Sequence, residues 1–148
     1  MTMLNKYFDI LINEIKNEKL DVPTGALIVK DDKIITIQIN KREKNNSIIS
    51  HAEILAIEEA NKILNNKYLT DCDMYVTLEP CPMCAWAIIN AKIKNLYFGS
   101  YDTQYGGFSV LKLNNLAHSK INIKGGIREQ ECNEILQNYF NNLRNKNA

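Results

Sequence analysis

The sequence contains no apolar run approaching the roughly 20 residues that cross a bilayer. Its first residues, MTMLNKYFDILINE, carry acids where an export signal is basic and then apolar. These absences argue against a helical membrane protein and an exported one, and set the expectation of a cytoplasmic chain. A strong net charge is missing too: 18 Lys and Arg against 17 Asp and Glu leave +1. No overall field draws the protein to a polyanion, so any contact with nucleic acid has to come from local patches. There is no internal repeat and no linker, and Asn, Lys and Ile are spread throughout rather than gathered in one tract. Cysteine is scarce, with four residues at 72, 81, 84 and 132. A chain of 148 residues, 45% hydrophobic, builds an adequate core as one domain over 1–148. Without an export signal it has little use for disulfides, which leaves metal binding or plain burial.

What is present follows two periodicities. Leu4, Tyr7, Phe8, Leu11, Ile12 and Ile15 fall at the 3-and-4 spacing of an amphipathic helix, predicted over 2–19. GALIVK and IITIQIN flank Asp31-Asp32-Lys33 and read as a hairpin of two strands rich in β-branched residues. The polar segment KREKNNSIIS is a loop, and 51–64 has helical length and composition. Residues 73–78 read as a strand running through Glu79 into Pro80, where another helix starts. Short strands are expected around 96–99 and 121–124. Cys132, Ile135, Leu136, Tyr139, Phe140 and Leu143 repeat the helical spacing to the end. The order α-β-β-α-β-α-β-β-α implies an α/β fold: a mixed sheet with helices on both faces.

Cys81 and Cys84 stand where a strand hands over to a helix. Unpaired N–H groups and the helix dipole lower a thiol's pKa there and favour thiolate, the form that binds metal. Alone, a CxxC is equally a redox pair or two buried thiols. The picture changes with His51-Ala52-Glu53, which opens another helix 30 residues before Cys81. His51, Cys81 and Cys84 would give zinc three ligands and leave the fourth position to water, the arrangement of a catalytic rather than a structural site. Glu53, not needed as a ligand, is placed to take a proton from that water and pass it to a leaving group. HxE followed by PCxxC is the signature of zinc-dependent nucleobase deaminases.

From about Val22 to Arg144, through VPTGALIV, HAEILAIEEA, YVTLEPCPMCAWAI, LYFGSYD and the late GGI, the sequence resembles the bacterial tRNA-specific adenosine deaminases of the cytidine deaminase superfamily. The resemblance implies a three-layer α/β/α fold on a five-stranded sheet, a homodimer, and one zinc per subunit. It further implies hydrolysis of the wobble adenosine of a tRNA anticodon to inosine, with release of ammonia. His51, Cys81 and Cys84 match the family's zinc ligands and Glu53 its proton shuttle. Asn40 matches a base-contacting asparagine, the backbone N–H of Ala52 a donor to the base, and Asp102 an aspartate on the ribose of a neighbouring nucleotide. Read without the resemblance, Asn40 is a strand-end turn residue and Asp102 a loop cap. Lys41, Arg42 and Lys44 before His51, with Arg144 and Lys146 in the last helix, are candidate phosphate contacts for the anticodon stem-loop.

The sequence also departs from the family. Residues 103–119 form a segment shorter than usual, with His118-Ser119 near the place of an Asn-His. Trp86 replaces a small residue and is expected either at a dimer interface or in the layer behind the zinc. Ile48 stands where proline is common. Two alternatives stay open: a free-base or nucleoside deaminase acting on guanine or cytosine, and a zinc-stabilised dimerisation module without activity.

Overall fold

The structure, a computed structural model, describes residues 2–118 and 120–147. Its elements run α1 (Met3–Ile15), β1 (Gly25–Lys30), β2 (Lys33–Ile39), α2 (Ala52–Leu64), β3 (Cys72–Leu78), α3 (Pro82–Asn90), β4 (Asn95–Ser100), a one-turn 3-10 helix (Leu113–Leu116), β5 (Asn122–Lys124) and α4 (Glu129–Asn147). The expected order holds, with shifts at the ends. Thr2 caps α1 from outside, its hydroxyl accepting from Asn5 N, and the helix stops at Ile15 rather than at residue 19. His51 likewise precedes α2 as its N-cap, with extended backbone, instead of opening it.

The five strands form one mixed sheet in the order β2-β1-β3-β4-β5. β1 is antiparallel to both β2 and β3, while β3, β4 and β5 run parallel. Asp31 and Asp32 both take positive φ (51° and 61°), the backbone of a two-residue hairpin whose twist matches its strands. Side chains alternate across the central strands. Ala26, Ile28, Met74 and Val76 join the core under α2 and α3, while Leu27, Val29 and Tyr75 join Tyr7, Phe8, Leu11 and Cys132 under α1 and α4. Strands covered on both faces therefore read as unbroken apolar runs, as GALIVK does.

This topology gathers the site at one end of the sheet. β1 pairs Gly25 with Ile39 and Ala26 with Val76, and β3 pairs Leu78 with Ser100. The start of β1 and the ends of β2, β3 and β4 thus share an edge, and the residues just beyond them, Thr24, Asn40, Glu79 and Asp102, come together although they are far apart in sequence. α2 and α3 point their N-termini to the same edge. Ligands of α/β proteins commonly bind outside the carboxyl ends of the strands, where such ends converge.

Candidate metal centre and substrate pocket

His51 and Cys81 are the N-cap residues of α2 and α3, and Cys84 lies in the first turn of α3 behind Pro82. Proline suits that position because its missing N–H has no helical acceptor to lose. Neither cap side chain is spent on its own helix, so both are free to face each other. His51 Nδ1 lies 3.6 Å from Cys81 Sγ and 3.4 Å from Cys84 Sγ. All three ligand atoms fall within 4.8 Å of one another. Bonds of roughly 2.3 Å to sulfur and roughly 2.0 Å to nitrogen, set at a tetrahedral angle, separate those atoms by about 3.6 Å. The cluster therefore fits zinc in donor chemistry and in spacing.

Its electrostatics fit as well. The hydrogen bond from the Cys84 thiol, helped by His51, holds Cys81 down at about 4, so it is a thiolate at neutral pH. Cys84 is pushed up, first by its bond to the Cys81 sulfur and then by burial. The two sulfurs share one proton, which metal binding releases. His51 is raised chiefly by its contact with Cys81. Glu53, in the first turn of α2 and 4% exposed, is pushed up to about 7 by burial. A carboxyl near 7 both accepts and returns a proton at working pH.

A cavity of about 200 Å³ opens beside this cluster, walled by Asn40, His51, Ala52, Glu53, Cys81 and Asp102, with Val22, Thr24 and Leu78 closing it. It is smaller than the roughly 300–1,000 Å³ of sites for drug-sized ligands, so it suits one base rather than a whole nucleotide. The Asn40 amide donates to Val22 O and accepts from Arg42 N, each at 3.3 Å. Each end of an amide has a second donor or acceptor site, so ending the strand does not exhaust Asn40. Asp102 Oδ1 accepts from Gln104 N (3.0 Å) and Tyr105 N (2.9 Å), the loop-cap geometry. Its Oδ2 takes no partner among the described residues.

The basic residues separate. Arg42 lines the cavity, and Lys41 and Lys44 follow the same turn, which the buried Asp21 carboxylate grips through Glu43 N (2.7 Å) and Lys44 N (3.3 Å). Arg144 is exposed on α4, bonded to Asn141, and does not line the cavity. Lys146 lines a second, larger groove of about 800 Å³ between the end of α1 and α4, together with Lys16, Lys19 and Tyr139. Pro23 lies in that groove while Val22 and Thr24 lie in the cavity, so the two depressions meet across one stretch of chain. Trp86 is 43% exposed on α3, which excludes it from the layer behind the cluster; the α3 side chains buried in the core are Cys84, Ala85 and Ile88. His118 is exposed and is not part of the cluster. Ser119 lies outside the described residues.

Sequence reasoning missed Glu79. It is 2% exposed, lines the cavity, and binds residues 23 to 30 positions downstream. The signal was an acid just past the end of a largely buried strand, but no periodicity announces partners at that range.

The architecture is that of the cytidine deaminase-like α/β/α hydrolases, and the MafB19-like deaminase family model matches residues 5–144. The tRNA-specific adenosine deaminase of Bacillus subtilis (strain 168) is 39% identical over 99% of this chain and 94% of its own. A solved tRNA:A34 deaminase, which edits A to I at the wobble position of transfer RNA, superposes with a TM-score of 0.82 at 34% identity, covering 88% of this chain and 99% of that one. The guanine deaminase of Bacillus subtilis is less similar in shape: TM-score 0.63 at 36% identity, over 70% of this chain and 67% of that one. The chain belongs to the tRNA-specific adenosine deaminase family.

Proposed function

We propose that this protein, as a single deaminase domain over 1–148, hydrolyses adenosine to inosine at the wobble position of a tRNA anticodon and releases ammonia. The observation that carries the reading is the cavity. Asn40, Ala52 and Asp102 line it together with the buried carboxyl of Glu53, beside the His51, Cys81 and Cys84 cluster, which supports the reading. His51, Cys81 and Cys84 would hold one zinc per subunit. Bound there, zinc would supply a water that is nucleophilic at neutral pH.

Glu53 takes a proton as water adds to the amidine carbon of the base, and gives it to the amino group as that C–N bond breaks. The amide of Asn40 and the backbone N–H of Ala52 orient the purine edge, and Asp102 meets the ribose of the next nucleotide through its 2′-OH. An anticodon loop is single-stranded, so its base enters a one-base pocket at small unstacking cost. Lys41, Arg42, Lys44 and Arg144 meet the phosphates. The enzyme acts in the cytoplasm as a homodimer, for which Met83 and Trp86, exposed on α3, supply apolar surface. Sedimentation at assay concentration tests the dimer.

The decisive experiment incubates zinc-loaded protein with total tRNA and reads inosine as adenosine-to-guanosine changes in sequencing. Changes confined to an anticodon wobble position are the expected result. Unchanged tRNA together with turnover of free guanine or cytosine overturns the reading. The likeness to a guanine deaminase is the observation that keeps that second outcome in view.

A further inference from the structure

The proton transfer above leaves one buried acid unused. Glu79 carries no cation partner among the described residues. Its carboxylate is nevertheless fully occupied. Oε1 accepts from Asp102 N (3.1 Å) and Ser109 Oγ (2.6 Å), and Oε2 from Phe108 N (3.2 Å) and Ser109 N (2.7 Å). A carboxylate offers about four acceptor sites, so none is left for a substrate or a travelling proton. The donors come from both ends of one loop, Asp102 at its start and Phe108 and Ser109 at its finish. One side chain therefore closes the loop.

The surroundings hold both parts in place. Glu79 N donates to Ser100 O (2.8 Å), and Gly107 N to Pro80 O (2.9 Å). A Cβ on Gly106 would stand 2.5 Å from Glu79 Oε1, and one on Gly107 would stand 2.4 Å from Ala85 Cβ, so the loop approaches this closely only because both are glycine. Glu79 is two residues from Cys81, and Asp102 lines the same cavity.

We infer that Glu79 is a positioning residue: it ties the 102–109 loop to the strand end that carries Cys81 and so sets where Asp102 meets the substrate. The inference rests on the reading of Asp102 given under the proposed function. In Glu79→Gln, a donor replaces one acceptor oxygen and faces the loop's own donors. The expected loss in kcat/KM on an anticodon stem-loop is about 10- to 100-fold, the range for one hydrogen bond to a charged group. It appears mainly in KM, with zinc per chain unchanged. Amide exchange at Asp102, Phe108 and Ser109 accelerates.

Gly106→Ala crowds the same oxygen from the loop side and moves KM and exchange in the same direction while leaving the carboxylate in place. In an Asp102→Ala background, Glu79→Gln costs little more, because its effect passes through the missing side chain. Full additivity of the two losses overturns that route. Wild-type KM and wild-type exchange in both Glu79→Gln and Gly106→Ala overturn the inference altogether. If the zinc-loaded wild type edits no RNA, the proposed substrate fails, while exchange at the three amides in the variants still decides whether Glu79 holds the loop.

Discussion

The wall of the cavity that carries His51, Glu53 and Cys81 stands on two helix N-termini, whereas the wall at Asp102 begins a loop, 102–109, that is built of turns and bonded to the Glu79 carboxylate. The first wall is fixed by elements that would exist without the site: α2 and α3 pack on each other and share a core with the sheet. The second is held by four hydrogen bonds to one side chain, by the Gly107 N–Pro80 O bond and by Phe108 in the core. On the proposed reading, the metal ligands, the proton carrier and the Ala52 contact lie on the rigid half, and the Asp102 contact on the half that a single residue can retune. Loops on a rigid scaffold are where specificity commonly varies.

Breaking the rigid half has the largest effect. Cys84 is fully buried in the first turn of α3, so Cys84→Ser removes a ligand and leaves a hydroxyl among apolar neighbours. Zinc content falls, activity disappears and Tm drops together, because metal affinity and folding draw on the same geometry. Retained zinc with normal Tm would mean that the cluster is not the metal site. Glu53→Ala comes next and separates chemistry from metal. Deamination falls by about 10²- to 10⁴-fold, the usual worth of a positioned acid–base group, with zinc near one per subunit. Loss of zinc in this variant would show Glu53 to be a ligand.

The two halves also differ in how far the sequence disclosed them. His51, Glu53, Cys81 and Cys84 were legible because their spacing is local and each pair sits at one helix start, where a short motif fixes geometry. The order of elements along the chain followed from apolar runs and from the alternation of Ile35, Ile37 and Ile39. Helix ends were less legible: both Thr2 and His51 proved to be caps, because the first hydrogen-bonded residue is set by backbone angles that the side chain only biases. Glu79 was not legible, since its partners are defined by where β4 ends rather than by any interval in the chain. The exposure of Trp86 was undecided for the same reason: the face of a helix turned to the core depends on its packing partners.

Asn40 tests the border between the halves, being held by backbone at both ends of its amide and still facing the cavity. Asn40→Ala raises KM for an anticodon stem-loop about tenfold, the worth of one hydrogen bond at the upper end of the ordinary range, with zinc unchanged and Tm lowered by only a few degrees. Unaltered KM with lowered Tm would leave Asn40 as a strand-end turn residue alone.

The smallest expected effect lies on the rim, where Lys41 and Lys44 follow the turn gripped by Asp21. With a net charge of only +1, the protein has no long-range field to offset their removal, so local contacts set the salt dependence. Each phosphate neutralised on a single strand contributes roughly 0.7 to the slope of log affinity against log salt. The Lys41→Ala, Lys44→Ala double variant therefore binds the stem-loop with a slope flatter by about 1.4, while kcat at saturating RNA is unchanged. An unaltered slope would make both lysines solvated surface, and Arg42, which already lines the cavity, would remain the one basic side chain of this turn placed to meet the RNA.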